Sequence, residues 1–141
     1  MHDQDQAGPA PDEIVAWITS TWPDTAIIEA MNAVFFSLDD RHWPNFATIV
    51  TTDEHDTASN LARPGVFRLN IGVSRPTFER LVGDATDPDY TALDRVLPHP
   101  VYAKQLWISI LNPSRRSFDD LVKALLVEAH DRLAASKRPR K

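Results

Sequence analysis

Apolar and polar residues alternate from Phe67 to Val73, with Phe67, Leu69, Ile71 and Val73 set against Arg68, Asn70 and Gly72. This is the period of a strand with one face in a core and the other on something polar. Pro64-Gly65 before it is a turn signal, and Ser74 after it offers a helix cap. Residues 63–81, RPGVFRLNIGVSRPTFERL, thus read as a turn, a half-buried strand and a helix start in succession.

The same patterning predicts the rest of the chain. Ile14, Val15, Ile18 and Trp22 recur at helical spacing behind Pro11, Asp12 and Glu13, until Pro23 stops the helix. Three short runs follow at residues 26–29, 33–38 and 46–52, rich in Ile, Val, Phe and Thr. Met31-Asn32 and residues 39–44 separate them, connections short enough to demand antiparallel neighbours. A polar stretch at 53–65 leads to the central strand at 66–72. Ser74 caps a second helix carrying Phe78, Leu81 and Val82, which Gly83 ends.

Residues 84–104 read as irregular, with Pro88, Pro98 and Pro100 and room for a single turn at 91–96. A fifth strand at 105–111 places Leu106, Ile108 and Ile110 on one side and Trp107 and Ser109 on the other. Beyond Asn112-Pro113, Ser117 and Asp120 resemble a capping box, and Phe118, Leu121, Val122, Leu125, Ala129 and Leu133 form the stripe of a last helix. The expected architecture is α+β, an antiparallel sheet of about five strands with N- and C-terminal helices packed on one face. Residues 1–10 form a lead-in, 11–136 one domain and 137–141 a basic tail.

Composition narrows function mainly by exclusion. The 141 residues contain no Cys, which removes disulfides, thiolate catalysis and Cys-ligated metal together. A net charge of −5 argues against a phosphate-binding surface spread over the domain. No apolar run reaches the roughly 20 residues of a membrane span, and the first residues lack the basic and apolar regions of a signal peptide. A cytoplasmic protein is the expectation. There is no Gly-rich phosphate loop and no Gly-x-Ser-x-Gly elbow, and no cofactor motif is found.

The run FATIVTTDEHDTASNLARPGVFRLNIGVSRPTFERL, with PHPVYAKQLWISILNPS and a closing helix, resembles an uncharacterised bacterial family, a domain of unknown function of about this length. The pattern LNIGVSRPTFERL, then QLWISIL, then the last helix is similar, more distantly, to the MmcQ/YjbR-like proteins. That second resemblance implies a CyaY-like fold and a capacity to bind DNA. Neither family supplies a catalytic motif.

The candidate site is the sheet face away from the helices, where Arg68 and Asn70 meet Trp107 and Ser109, and where Thr48 could join them. Aromatic and Arg side chains on a pleated surface suit recognition, because they offer large contact with few ordered rotamers. His99 and Tyr102 could reach this face from the preceding loop. The opposing reading has residues 84–104 folded over the face and Trp107 packed as core. Asp53, Glu54, His55 and Asp56 are the densest set of metal-ligand types, but their spacing matches no metal motif. His42 and His99 are isolated in sequence. The leading expectation is a non-enzymatic binding module for a protein or small molecule. Alternatives are a nucleic-acid binder using Arg63, Arg68, Arg75 and the tail, and a small metal-assisted hydrolase using Asp53, His55 or His99.

Overall fold

A computed structural model of the chain describes residues 8–38 and 44–136. Helix α1 (Pro11–Thr21) has proline and two acidic residues in its first turn and buries Ile14 and Ile18. Strands β1 (Ala26–Ala30) and β2 (Ala33–Ser37) are joined by Met31 and Asn32, both in the left-handed region at φ 54° and 59°. Two such residues make the mirror-image turn whose twist matches that of an antiparallel hairpin. Strand β3 (Asn45–Val50) and β4 (Arg68–Gly72) follow, then helix α2 (Arg75–Val82). Strand β5 (Val96–Pro98), a single 3₁₀ turn (Ala103–Gln105) and β6 (Trp107–Leu111) complete the sheet.

The last helix, α3, begins at Arg115–Ser117, passes through one π-helical segment at Phe118–Val122 and runs on through Lys123–Ser136. Its cap is Ser114, whose hydroxyl accepts the Ser117 N–H at 3.0 Å, and not Ser117 with Asp120 as the pattern suggested. Three residues of extra helix follow from that earlier cap.

The sheet is open and wholly antiparallel among its paired strands, in the order β1-β2-β3-β4-β6-β5. It has six strands where the sequence predicted about five. The added strand lies in the stretch read as irregular, because three residues with a proline carry too short an alternation to register. Val96, Leu97 and Pro98 pair with Ile110, Ser109 and Ile108 at one edge. Pro98 fits there, since an edge strand has ladder positions that need no N–H. The central strand is shorter than predicted and starts at Arg68, and the strand predicted from residue 105 starts at Trp107 because Leu106 turns the chain at φ 69°.

One face carries the core: Phe36, Ile49, Leu69, Ile71, Ile108 and Ile110 pack against Ile14, Ile18, Val82 and the Phe118, Val122, Leu125 and Ala129 side of α3. The three helices among the described residues lie on this face. Glu128 of α3 ties two of them together, accepting the Ser74 N–H and the Thr77 hydroxyl, each at 2.7 Å, at the start of α2. The opposite face is left to loops.

Candidate functional site

Cross-strand register builds the floor of that opposite face. Phe35, Thr48, Asn70, Ser109 and Leu97 stand in one row across five strands. Ser109 Oγ donates to Asn70 Oδ1 at 2.7 Å, and Asn70 Nδ2 donates to Thr48 Oγ1 at 2.9 Å. This relay fixes the Asn70 amide, which is 2% exposed, and satisfies a buried polar group that would otherwise destabilise the sheet.

Two residues along β4, Gly72 lies opposite Trp107. A Cβ on Gly72 would stand 3.1 to 3.4 Å from three atoms of the indole, so the ring lies directly on the glycine. Here the missing side chain is what admits the aromatic. Trp107 remains partly exposed.

Two residues the other way, Arg68 is 2% exposed and held by the loop after β3. Its two terminal nitrogens donate to Asp56 Oδ1 and Oδ2 at 3.0 and 2.8 Å, and one also to Ser59 Oγ at 2.9 Å. The hydrogen bonds from Arg68 hold the Asp56 carboxyl below its ordinary pKa, outweighing the opposing effect of burial. Arg68 Nε has no partner among the described residues. The Arg68 side chain is therefore a buried anchor for a loop, with one N–H to spare.

His99 forms the third wall. Its Nδ1 accepts the N–H groups of Val101 and Tyr102 at 2.9 and 3.0 Å, which fixes the neutral ring with its proton on Nε2. Burial, with help from the Arg68 charge and against the pull of Asp56, lowers its pKa to about 4. The Tyr102 ring lies 5.0 Å from the imidazole and is 54% exposed. A β-bulge completes the set. Phe36 pairs with Ala47 and Ser37 with Asn45, so Phe46 is the extra residue. Phe46 and Ala47 both enter the core, and Asn45 returns to the loop face. Asn45 Oδ1 is buried and without a partner among the described residues.

These side chains line one cleft of about 550 Å³. Phe35, Val50, Val101, Tyr102 and Trp107 give it apolar walls; Asn45, Thr48, Arg68, Asn70 and His99 supply polar atoms. The volume and the balance of lining are those of small-molecule sites. Of the six residues singled out in the sequence, Arg68, Asn70, Trp107, His99 and Tyr102 line the cleft; Ser109 lies beneath it, 1% exposed. The face is neither open nor closed: the loop at 51–65 covers the Arg68 end, with Leu61 packed on Ala33, Val50 and Leu111, while the turn after β5 walls the other side.

The Asp53 to Asp56 cluster disperses. Asp53 accepts the Leu61 N–H at 2.8 Å, Glu54 the Asn32 amide at 3.1 Å, and His55 Nε2 meets the Met31 carbonyl at 3.0 Å. No three His, Asp or Glu side chains among the described residues are grouped to hold a metal. Arg63 is likewise spent inside the fold, on the carbonyls of Ser59, Asn60 and Thr91. His42 and the basic tail lie outside the described residues. No described helix is long and apolar enough to cross a membrane.

A family model matches residues 9–141, that of DUF6194, a family of unknown function. The chain belongs to this family. No curated protein and no solved structure matches it. The DUF6194 match spans every element that builds the cleft, so site and family share one unit of chain. Sequence reasoning missed Asn45, Asp56 and Gly72 as parts of this site. Gly72 had a signal: a lone glycine on the polar side of a strand marks a close approach.

Proposed function

We propose that this DUF6194 chain is a non-enzymatic binding module that seats a small organic molecule in the cleft over its polar sheet face. The observation that carries this reading is a cleft of mixed apolar and polar lining in which two residues, Arg68 and Asn45, each hold a buried hydrogen-bonding atom, Nε and Oδ1, with no partner among the described residues. Leaving such groups unpaired costs free energy, about 1–3 kcal/mol each, and a bound molecule would recover it. Asn70, Trp107, His99 and Tyr102 give the cleft its floor and walls; Arg68 and Ser109 hold them in place.

The catalytic alternative is weakened by His99, whose only lone pair is taken by two backbone N–H groups. The nucleic-acid alternative is weakened by Arg63 and Arg68, both bound within the fold. The likeness to MmcQ/YjbR-like proteins and a CyaY-like fold is supported by helices gathered on one face of an antiparallel sheet, and a cytoplasmic setting by the lack of Cys.

A fragment screen by thermal shift tests the reading. Hits should stabilise the wild type and lose that effect in Trp107→Ala and Tyr102→Ala. A diverse library without one such hit refutes it.

A further inference from the structure

The free atoms of the cleft specify the chemistry of its ligand. This step rests on the binding-module reading and deepens it. Charge comes first. Arg68 is matched by Asp56 through two hydrogen bonds, and His99 is neutral in the tautomer that its two N–H contacts impose. Among the described residues, Arg68, Asp56 and His99 therefore bring no unmatched formal charge to the cleft, and His55, also on its lining, is turned to the Met31 carbonyl. A charged ligand would lose its hydration with no counter-charge to replace it.

Hydrogen bonding comes next. At the Arg68 end the unpartnered group is a donor, Nε–H. An acceptor on the ligand is called for there. At the other end the unpartnered group is an acceptor, Asn45 Oδ1. Asn45 lies two residues beyond Ala47, which pairs with Ile71, so it stands near the Gly72 and Trp107 end of the sheet. A donor on the ligand is called for there. Arg68 and Gly72 are four residues apart on one strand, about 13 Å at ~3.3 Å per residue. Two linked rings span such a distance.

The walls supply the rest. The Trp107 indole rests against Gly72, and the exposed Tyr102 ring, Phe35 and Val50 complete the apolar lining. Aromatic walls of this kind favour an aromatic guest. We infer that the ligand is an uncharged aromatic carbonyl compound of about two rings, its carbonyl toward Arg68 and a hydroxyl or amide donor toward Asn45.

Three probes of one shape separate the possibilities: meta-hydroxybenzophenone, meta-benzylphenol, which lacks the carbonyl, and meta-benzoylbenzoate, which is anionic. Affinity is read from the Trp107 indole N–H resonance of the whole chain. The hydroxybenzophenone should bind at least about tenfold tighter than either relative, the effect of one well-made hydrogen bond or of one avoided charge burial. Asn45→Leu should remove the advantage that its hydroxyl gives over plain benzophenone. Tightest binding by the benzoylbenzoate, or equal binding by all three, overturns the inference and leaves a binding cleft standing. Binding by none overturns the inference too, and the fragment screen then decides whether the cleft binds anything.

Discussion

Asp56, on the loop after β3, grips Arg68 in the middle of the sheet through two hydrogen bonds of 3.0 and 2.8 Å. A guanidinium that is 2% exposed depends on this carboxylate for its charge balance. Removing one partner of a buried pair leaves the other charge uncompensated, which costs more than the pair itself contributes.

Asp56→Ala should therefore destabilise the protein by on the order of 3 kcal/mol, read as a lower urea midpoint at unchanged slope. Arg68→Met added to Asp56→Ala should restore much of that loss, since no buried charge then remains unpaired. A double variant as unstable as the sum of its parts would show that the two side chains act independently.

Stability should fall in two stages on acidification. His99 has a folded pKa of about 4, below the ordinary value of 6.5, so between those limits the unfolded chain binds a proton that the folded chain refuses. Stability is complete above pH 6.5 and declines as pH falls toward 4, by up to on the order of 3 kcal/mol. Asp56, with its pKa lowered, contributes above the usual carboxylate range and loses that contribution below it. His99→Gln should flatten the upper stage, and Asp56→Asn should flatten the lower while shifting the upper to lower pH, because Asp56 pulls the His99 pKa upward. Urea titrations across this pH range check both.

Gly72→Ala sets a methyl group against the Trp107 indole. Overpacking of this kind costs about 1–3 kcal/mol, and the ring is partly exposed, so it should swing outward rather than unfold the sheet. Red-shifted Trp107 emission, isolated by difference from Trp107→Phe, with an affinity loss in the cleft, is the expected result. An unmoved emission spectrum would mean that the indole does not rest on Gly72.

Met31 occupies the left-handed region at φ 54° with a side chain that is 65% exposed. Met31→Asn should raise stability by up to about 1 kcal/mol, because Asn adopts that conformation at lower strain. Thermal denaturation measures it directly.

Much of this arrangement could be read from residue order alone. The alternation at Leu69, Asn70 and Ile71 separated the two faces of β4, and the stripe on α3 named the residues that cover one of them. Arg68, Asn70 and Trp107 line one cleft because strand periodicity fixes the side on which each stands, and His99 and Tyr102 join them from the turn after β5. What escaped has local physical causes. The bulge that puts Phe46 in the core and Asn45 on the cleft changes register by one residue, and no periodicity announces it. The partnership of Asp56 with Arg68 joins residues 12 positions apart across a loop, where pattern is silent. A contiguous acidic run looked like metal chemistry and instead supplies an anchor, a turn and a hairpin contact.

Side-chain NMR of the Arg68 Nε–H and Trp107 Nε1–H groups, during titration with the tightest hit of the fragment screen, reports whether a ligand sits in the cleft. The cleft account predicts that both resonances shift and saturate together, with a single affinity. Resonances that stay in place while the hit binds would put the ligand elsewhere and contradict it.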